Sequence, residues 1–426
     1  MAIKAPKGTK DVLPEESYRW QYLESLIRSI VVKYGFLEAR TPVIEPTELF
    51  LRGVGDTTDV VQKEMYTFED KGGRSITLKP EGTAGVVRMF VENSLFNDAQ
   101  PTKIFYLNNP VFRYERPQTG RLREHHQFGI EVFGAPRPSA DAECIAVALE
   151  LLRALGCDSL NVCINSIGCP SCRPAYHKAL CEYIRTRYDD ICETCKTRYE
   201  KNPLRILDCK MDKCKEIAKD APSILDYLCD DCRAHFEEFQ RLLSLMGIPF
   251  SIVPPLVRGL DYYTKTVFEI VSDCIGAQGT VCAGGRYDGL VEQLGGPSLP
   301  AVGFGLGMER LLLVMDQMGK TIEKPARLDL YIASLDADAG IRAFSLAAGL
   351  RARGCKVEID HAGRSLKAQF KYADKLGAAC VLTLGSDEIA SGQGKLKRLS
   401  DGATFACALD ASEIEEILKG TVKING

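Results

Sequence analysis

The sequence predicts an α+β protein: a mostly antiparallel sheet flanked by helices, interrupted by a cysteine-rich helical insertion and followed by a small α/β unit. Three observations carry this. Strand-like runs recur at Ile76 to Lys79, Lys103 to Leu107, His126 to Phe133 and Thr266 to Val271, with lengths suited to antiparallel pairing. Ten of the 17 cysteines fall between Cys163 and Cys232, in a charged, helix-rich stretch unlike its flanks. Beyond Lys324-Pro325 strands and helices alternate, as strand 328–333, helix 338–353, strand 356–359, helix 365–376 and strand 379–384. Such alternation predicts a parallel or mixed sheet covered by helices. The expected divisions are therefore a core at 1–167, an insertion at 168–237, the rest of the core at 238–325 and a C-terminal unit at 326–426.

The elements follow from local chemistry. Pro14-Glu15-Glu16 is a good helix start, and Tyr18, Tyr22, Leu26 and Ile30 repeat on one face until Gly35 stops the helix. Phe36 to Glu45 carries a proline and reads as extended chain at an interface or sheet edge. The 426 residues suffice for three domains, and 45% hydrophobic with 26% charged residues fits an ordinary globular protein. No apolar run approaches a membrane span, and the segment Met1 to Gly8 lacks the apolar stretch of a signal peptide, so the cytoplasm is the expected compartment. With net charge −3, any nucleic-acid partner has to be met by local basic patches.

Binding chemistry concentrates in a few segments. Arg258-Gly259-Leu260-Asp261-Tyr262-Tyr263 packs a guanidinium fork, an acid and two phenols closer than folding alone requires. Phe112 to Arg123 places four arginines and Glu115 on a turn marked by Pro117 and Gly120; arginines gathered this way repel one another unless a polyanion joins them, though a solvated basic turn is the plain alternative. In His125 to Phe133, alternation puts Gln127, Gly129 and Glu131 on one strand face, which suits an amino-acid zwitterion with a polar side chain. Adjacent His125 and His126 face opposite ways, which argues against a shared metal. Glu81 and Thr83 stand where they could cap a helix. Gly284 and Gly285 permit close backbone approach. Gly303, Gly305 and Gly307 leave one strand face bare as a floor for a flat ring, with Arg310 at the following helix start in reach of a terminal phosphate.

Together these segments resemble the class II aminoacyl-tRNA synthetases, and within them the histidyl-tRNA synthetase family, along nearly the whole chain. Lys7 to Asp11 is similar to the family's N-terminal signature, Thr41 to Glu45 to motif one, Phe112 to Glu131 to motif two and Gly303 to Arg310 to motif three; Arg258 to Tyr263 and Gly284 to Gly289 resemble the histidine-specific signatures. The resemblance implies ATP-dependent activation of L-histidine, with ATP and Mg2+ as substrate, and transfer to the 3′ end of tRNA(His) without a covalent enzyme intermediate. It implies Arg113 and Arg258 on the α-phosphate, Arg310 and Glu115 also at ATP, and Glu81, Thr83 and Gln127 at the α-amino group. Glu131, Tyr262 and Tyr263 would read the imidazole, while Gln118, Arg121 and Arg123 would touch the tRNA acceptor end. Arg113, Arg258 and Arg310 are expected to converge on one cavity. The C-terminal unit would be an anticodon-binding domain, with Lys367, Lys371 and Lys375 as a basic stripe or a merely solvated face, and the protein a homodimer.

Two points remain open at this level. Cys169-x-x-Cys172, Cys192-x-x-Cys195 and Cys229-x-x-Cys232 have zinc-knuckle spacing, with Cys209 and Cys214 as further thiolates. Cys192, Cys195, Cys229 and Cys232 are the candidate structural zinc ligands, against the alternative of buried free thiols that pack as small hydrophobes. The rival functions are a non-catalytic, synthetase-like regulatory subunit of ATP phosphoribosyltransferase in histidine biosynthesis and a prolyl- or threonyl-type synthetase. Arg113, Arg258 and Arg310 together with the long C-terminal unit argue against the first, and the Arg258 to Tyr263 hexamer against the second.

Overall fold

The computed structural model describes residues 2–55, 58–117, 120, 122–272, 279–325 and 328–421. Contacts divide the chain into two compact units, Met1–Ile322 and Glu323–Gly426. In the first unit α1 (Pro14–Val31) precedes β1 (Leu37–Glu38), and Gly35 ends the intervening turn in the left-handed region at φ 79°. A small antiparallel sheet, ordered β2-β4-β3, is built from β2 (Ile44–Pro46), β3 (Tyr66–Glu69) and β4 (Ser75–Leu78), with α2 (Thr47–Gly53) between its first two strands. After α3 (Thr83–Glu92) come the long strands β5 (Thr102–Phe112) and β6 (Glu124–Phe133), α4 (Pro138–Ala154) and β7 (Leu160–Ser166).

The cysteine-rich insertion is helical. It holds α5 (Arg173–Arg185), α6 (Glu193–Lys201) and α7 (Asp212–Lys219), and α8 (Asp230–Leu245) leads out of it. The unit then completes its sheet with β8 (Phe250–Ile252), β9 (Thr264–Ser272), β10 (Thr280–Arg286) and, after the short α9 (Leu290–Gln293), β11 (Ala301–Gly307), followed by α10 (Met308–Gln317). The eight strands run in the order β1-β5-β6-β11-β10-β9-β7-β8. All central pairings are antiparallel, and only the edge strands β1 and β8 pair parallel.

Period-two alternation gives the large sheet two different faces. Phe128, Ile130 and Val132 of β6 and Val302, Phe304 and Leu306 of β11 belong to one buried cluster with Leu23 and Ile27 of α1, Leu152 of α4, Phe239 of α8 and Leu311 of α10. The opposite face is left to glycines and polar groups, and it forms the floor of the site. At its end a second cluster joins the insertion, through Tyr176, Ile206 and Cys232, to Val86 of α3 and to Tyr262, Tyr263 and Tyr287.

A buried ion pair fixes the two layers. Arg286 of β10 donates through Nε to Asp141 Oδ1 of α4 at 3.2 Å, and its Nη2 pairs with the other carboxylate oxygen. Both side chains are fully buried, and Arg286 also reaches the carbonyls of Ala135 and Arg137.

The second unit carries its own core. β12 (Leu328–Ser334) lies between β13 (Val357–Ile359) and β14 (Ala378–Leu384), parallel to both, and β15 (Gln393–Arg398) and β16 (Thr404–Ala408) extend the sheet antiparallel. The sheet is thus mixed. α11 (Ala337–Ala352) and α14 (Ala411–Thr421) supply residues to one buried cluster, α12 (Leu366–Lys375) to another, and α13 (Ser386–Ser391) follows β14. Lys367, Lys371 and Lys375 are all exposed on α12, whose Gln369 and Ala373 are buried. Among the described residues no helix is long and apolar enough to cross a membrane.

Candidate active site

The bare face of the large sheet is made by register. Gly307, Gly305 and Gly303 of β11 lie opposite Gln127, Gly129 and Glu131 of β6, while Tyr106 of β5 pairs with Gly129 from the other side. The glycines are required by close approach. A Cβ at Gly303 would stand 2.0 Å from Glu131 Oε2, and one at Gly129 would stand 2.3 Å from the Tyr106 hydroxyl. At Gly305 the nearest atoms would be the Tyr106 hydroxyl at 3.7 Å and Gln127 Nε2 at 4.0 Å, so a Cβ there would make ordinary contact without a clash.

Around Glu131 the structure assembles a polar pocket. Its carboxylate accepts hydrogen bonds from Thr83 Oγ1 at 2.8 Å and from the Tyr287 hydroxyl. Burial pushes its pKa up to about 8, against the lowering effect of the Tyr287 and Thr83 hydroxyls, so near neutrality the group is largely protonated. Glu81 sits at the start of α3 and accepts from the backbone N–H groups of Thr83 and Ala84 at 2.8 and 2.7 Å; burial raises its pKa also. The Tyr262 and Tyr263 rings lie 4.6 Å apart, and Tyr262 meets Tyr287 edge-on at 5.6 Å. Glu81, Thr83, Glu131, Tyr262 and Tyr263 are therefore brought together. Tyr106 and Tyr287 complete the group, and burial holds both phenols protonated.

Next to it runs a cleft of about 230 Å³ lined by Arg113, Glu115, His125, Gln127, Arg310, Glu309 and the glycines at 305 and 307. Arg113 is anchored by Nε donating to Pro80 O at 2.8 Å, and Arg310 by Nη1 donating to Thr280 O. His125 is depressed to about 4 by burial and then by the Arg113 charge, so it lines the cleft as neutral imidazole. His126 points elsewhere. Its Nδ1 is 2.8 Å from Glu309 Oε1, and its ring packs edge-on against Trp20.

The expectation of one cavity for three arginines needs correction. Arg258 lines an adjoining cleft of about 380 Å³ that it shares with Arg113, while Arg310 lines only the first. The reason is Glu269 of β9, which takes the Arg258 Nη1 in an ion pair. The Arg258 charge still acts on Cys282, a residue of the first cleft, and its Nε has no hydrogen-bond partner. Arg113 is thus the hinge between the two clefts.

One further expectation changes. The four cysteines given as candidate zinc ligands fall into two groups: Cys229 and Cys232 gather with Cys169 and Cys172, and Cys192 and Cys195 with Cys209 and Cys214. The chain separates the two groups because residues 192–214, with α6 and the start of α7, close on themselves inside the longer excursion from Cys169 to Cys232. Arg123 is engaged by its own loop, its guanidinium 4.1 Å over the Tyr114 ring and its Nε donating to Glu115 O at 3.0 Å. Gln118 and Arg121 lie outside the described residues. Tyr106 and Glu269 were not singled out from the sequence, and Tyr287 only as a member of the Gly284 to Gly289 segment; each matters through a partner on another element, which only the fold reveals.

A large antiparallel sheet with a glycine floor, arginines at its open end and a C-terminal α/β unit is the architecture of a class II aminoacyl-tRNA synthetase. The comparisons with known proteins specify it further. The family profile for histidyl-tRNA synthetase matches residues 8–311, and that for an anticodon-binding domain matches residues 329–421. Curated histidine–tRNA ligases from Caldanaerobacter subterraneus and Clostridium perfringens are 57% and 56% identical, each over 98% of this chain and 100% of the relative. The solved structure of apo histidyl-tRNA synthetase from S. aureus superposes with a TM-score of 0.82 at 36% identity, covering 99% of this chain and 100% of that one. The chain belongs to the histidyl-tRNA synthetase family.

Proposed function

We propose that the protein activates L-histidine with ATP and transfers it to the 3′ end of tRNA(His). The substrate carboxylate attacks the α-phosphorus, the bond to pyrophosphate breaks, and histidyl-adenylate forms without a covalent enzyme intermediate. The terminal ribose hydroxyl of the tRNA then attacks the acyl carbon and AMP leaves. Nothing in this sequence of steps needs an enzyme nucleophile, so the protein's contribution is positioning and charge.

The observation that carries the reading is the Glu131 pocket lying beside the arginine clefts. Protonated Glu131, with Tyr262 and Tyr263 alongside, offers a hydrogen-bond donor to an imidazole nitrogen. An analogue lacking that nitrogen would leave a buried polar group unpaired, at about 1–3 kcal/mol. Glu81, Thr83 and Gln127 border the space for the α-amino group; with Thr83 Oγ1 engaged by Glu131, its part there is to hold that carboxylate. Arg113 and Arg258 flank the α-phosphate and Arg310 the outer phosphates of ATP, which enters as its magnesium complex near Glu115. The C-terminal unit reads the anticodon, two copies of the chain form the dimer, and the cytoplasm is the compartment.

Amino-acid-dependent pyrophosphate exchange with ATP, run across all twenty amino acids, tests this. Exchange with histidine alone is expected, and Arg258→Ala should lower it by about 10²–10³-fold. Exchange supported by a different amino acid would overturn the assignment.

A further inference from the structure

Eight cysteines of the insertion form two separate tetrads. Cys169, Cys172, Cys229 and Cys232 have all four sulfurs within 4.8 Å of one another, and so do Cys192, Cys195, Cys209 and Cys214. The individual separations are informative: 3.6 Å for Cys169 to Cys172, 3.9 Å for Cys169 to Cys229 and 3.8 Å for Cys192 to Cys209. A disulfide needs about 2.05 Å, so these pairs are not bonded. Four thiolates around one ion at about 2.3 Å make a tetrahedron with edges of about 3.8 Å, which is the spacing found. A cubane iron–sulfur cluster holds its thiolates farther apart, since irons and sulfides lie between them.

The peptide groups agree with this. The Cys229 N–H points at Cys172 Sγ at 3.1 Å, and the Cys192 N–H points at Cys214 Sγ at 3.3 Å. Backbone donors aimed at sulfur stabilise thiolate and orient a ligand set. Buried thiols acting as small hydrophobes have no reason to sort into two closed fours, each with such a donor.

We infer that the insertion holds two structural divalent cations of the zinc type, one in each tetrad. Each ion lies at the root of a clamp on the Arg258 to Tyr263 loop. From the first tetrad, Arg173 follows Cys172 directly and donates to Tyr263 O, while the Lys265 N–H reaches Gly168 O at 2.8 Å. From the second, α6 and the turn after it bring Asn202 Nδ2 to Asp261 Oδ1 at 3.0 Å and Arg205 Nη1 to Arg258 O at 2.9 Å. The metals are therefore positioning elements for that loop. This second half rests on the proposed reading of the loop as the histidine and phosphate site, and the metal content does not.

Elemental analysis of the untagged full-length protein, made in zinc-supplemented medium, should give two equivalents of zinc per chain. C172S/C232S and C195S/C214S should each retain one. As a measurement independent of the variants' folding, cobalt exchanged into the wild-type chain should saturate at two equivalents with thiolate-to-cobalt charge-transfer absorption. One equivalent or none, or iron accompanied by sulfide, overturns the two-site inference. For the clamp, C195S/C214S should raise the KM for histidine about tenfold with a smaller change in the KM for ATP. An unchanged KM for histidine in a chain shown to have lost its second ion overturns the positioning role and leaves the stoichiometry standing.

Discussion

At the scale of single residues, Glu131 and the glycines facing it set the sharpest expectations. The carboxyl ordinarily titrates near 4.5 and is raised to about 8 here, so the folded state holds its proton more tightly than the unfolded chain. Its contribution to stability is complete below about pH 4.5 and is lost as pH rises through 8. Glu131→Gln should therefore flatten the fall of Tm across that window in thermal denaturation at graded pH; a slope equal to wild type would refute it. Gly303→Ala forces a Cβ to 2.0 Å from Glu131 Oε2 and should destabilise by about 1–3 kcal/mol in urea titration. Gly305→Ala makes only ordinary van der Waals contact, its nearest neighbour at 3.7 Å, so its Cm should stay near wild type while the methyl obstructs the floor and lowers histidine-dependent exchange. Alternation alone located this face, since Gln127, Gly129 and Glu131 are consecutive odd positions of one strand. The part played by Tyr287, inside the Gly284 to Gly289 signature, was out of reach, because its hydroxyl serves a carboxylate 156 residues away.

At the scale of elements, the large sheet and α4 are held by the buried Arg286–Asp141 pair. Burial works against the Asp141 charge, yet Arg286 outweighs it and takes the pKa down to about 2. Stability from this carboxylate is present above about pH 3.8 and lost as pH falls toward 2. Arg286→Met removes the main partner of that buried charge, leaving His235 Nε2 at 3.5 Å, and should cost about 3–5 kcal/mol, measured by chemical denaturation. A loss under about 1 kcal/mol would mean that solvent reaches Asp141. The strand-rich core and the alternating C-terminal unit were legible as periods of two and 3.6. The cysteine pairing was not: CxxC spacing names all of the first tetrad and half of the second, but which pairs meet depends on how the insertion folds back on itself.

For the whole molecule, the two compact units each enclose their own core, which predicts a clean division of labour. Residues 1–322 produced alone should fold, retain histidine-dependent pyrophosphate exchange and lose most tRNA charging. Exchange abolished by the truncation, in a fragment with native circular dichroism, would show that the units depend on each other for activation. Charge reversal of Lys367, Lys371 and Lys375 on α12 should weaken tRNA binding and reduce its salt dependence, while leaving exchange intact. A merely solvated stripe would change neither. The homology that identifies the family spans both units, and the hexamer at 258–263 was readable because an arginine, an acid and two tyrosines so close together are unusual wherever they fold.

The glycine-floored strand pairing has a consequence for biosynthesis. Glu131 on β6 gains its neighbour on β11 only when Gly303 has left the ribosome, although the acid itself emerges early. Until then the acid and its phenolic neighbours Tyr106 and Tyr287 wait beside a sheet that lacks its glycine strand. Translation that stops before β11 thus yields a polypeptide that has seven of the eight strands of the large sheet, yet lacks the glycine strand that lies beside Glu131.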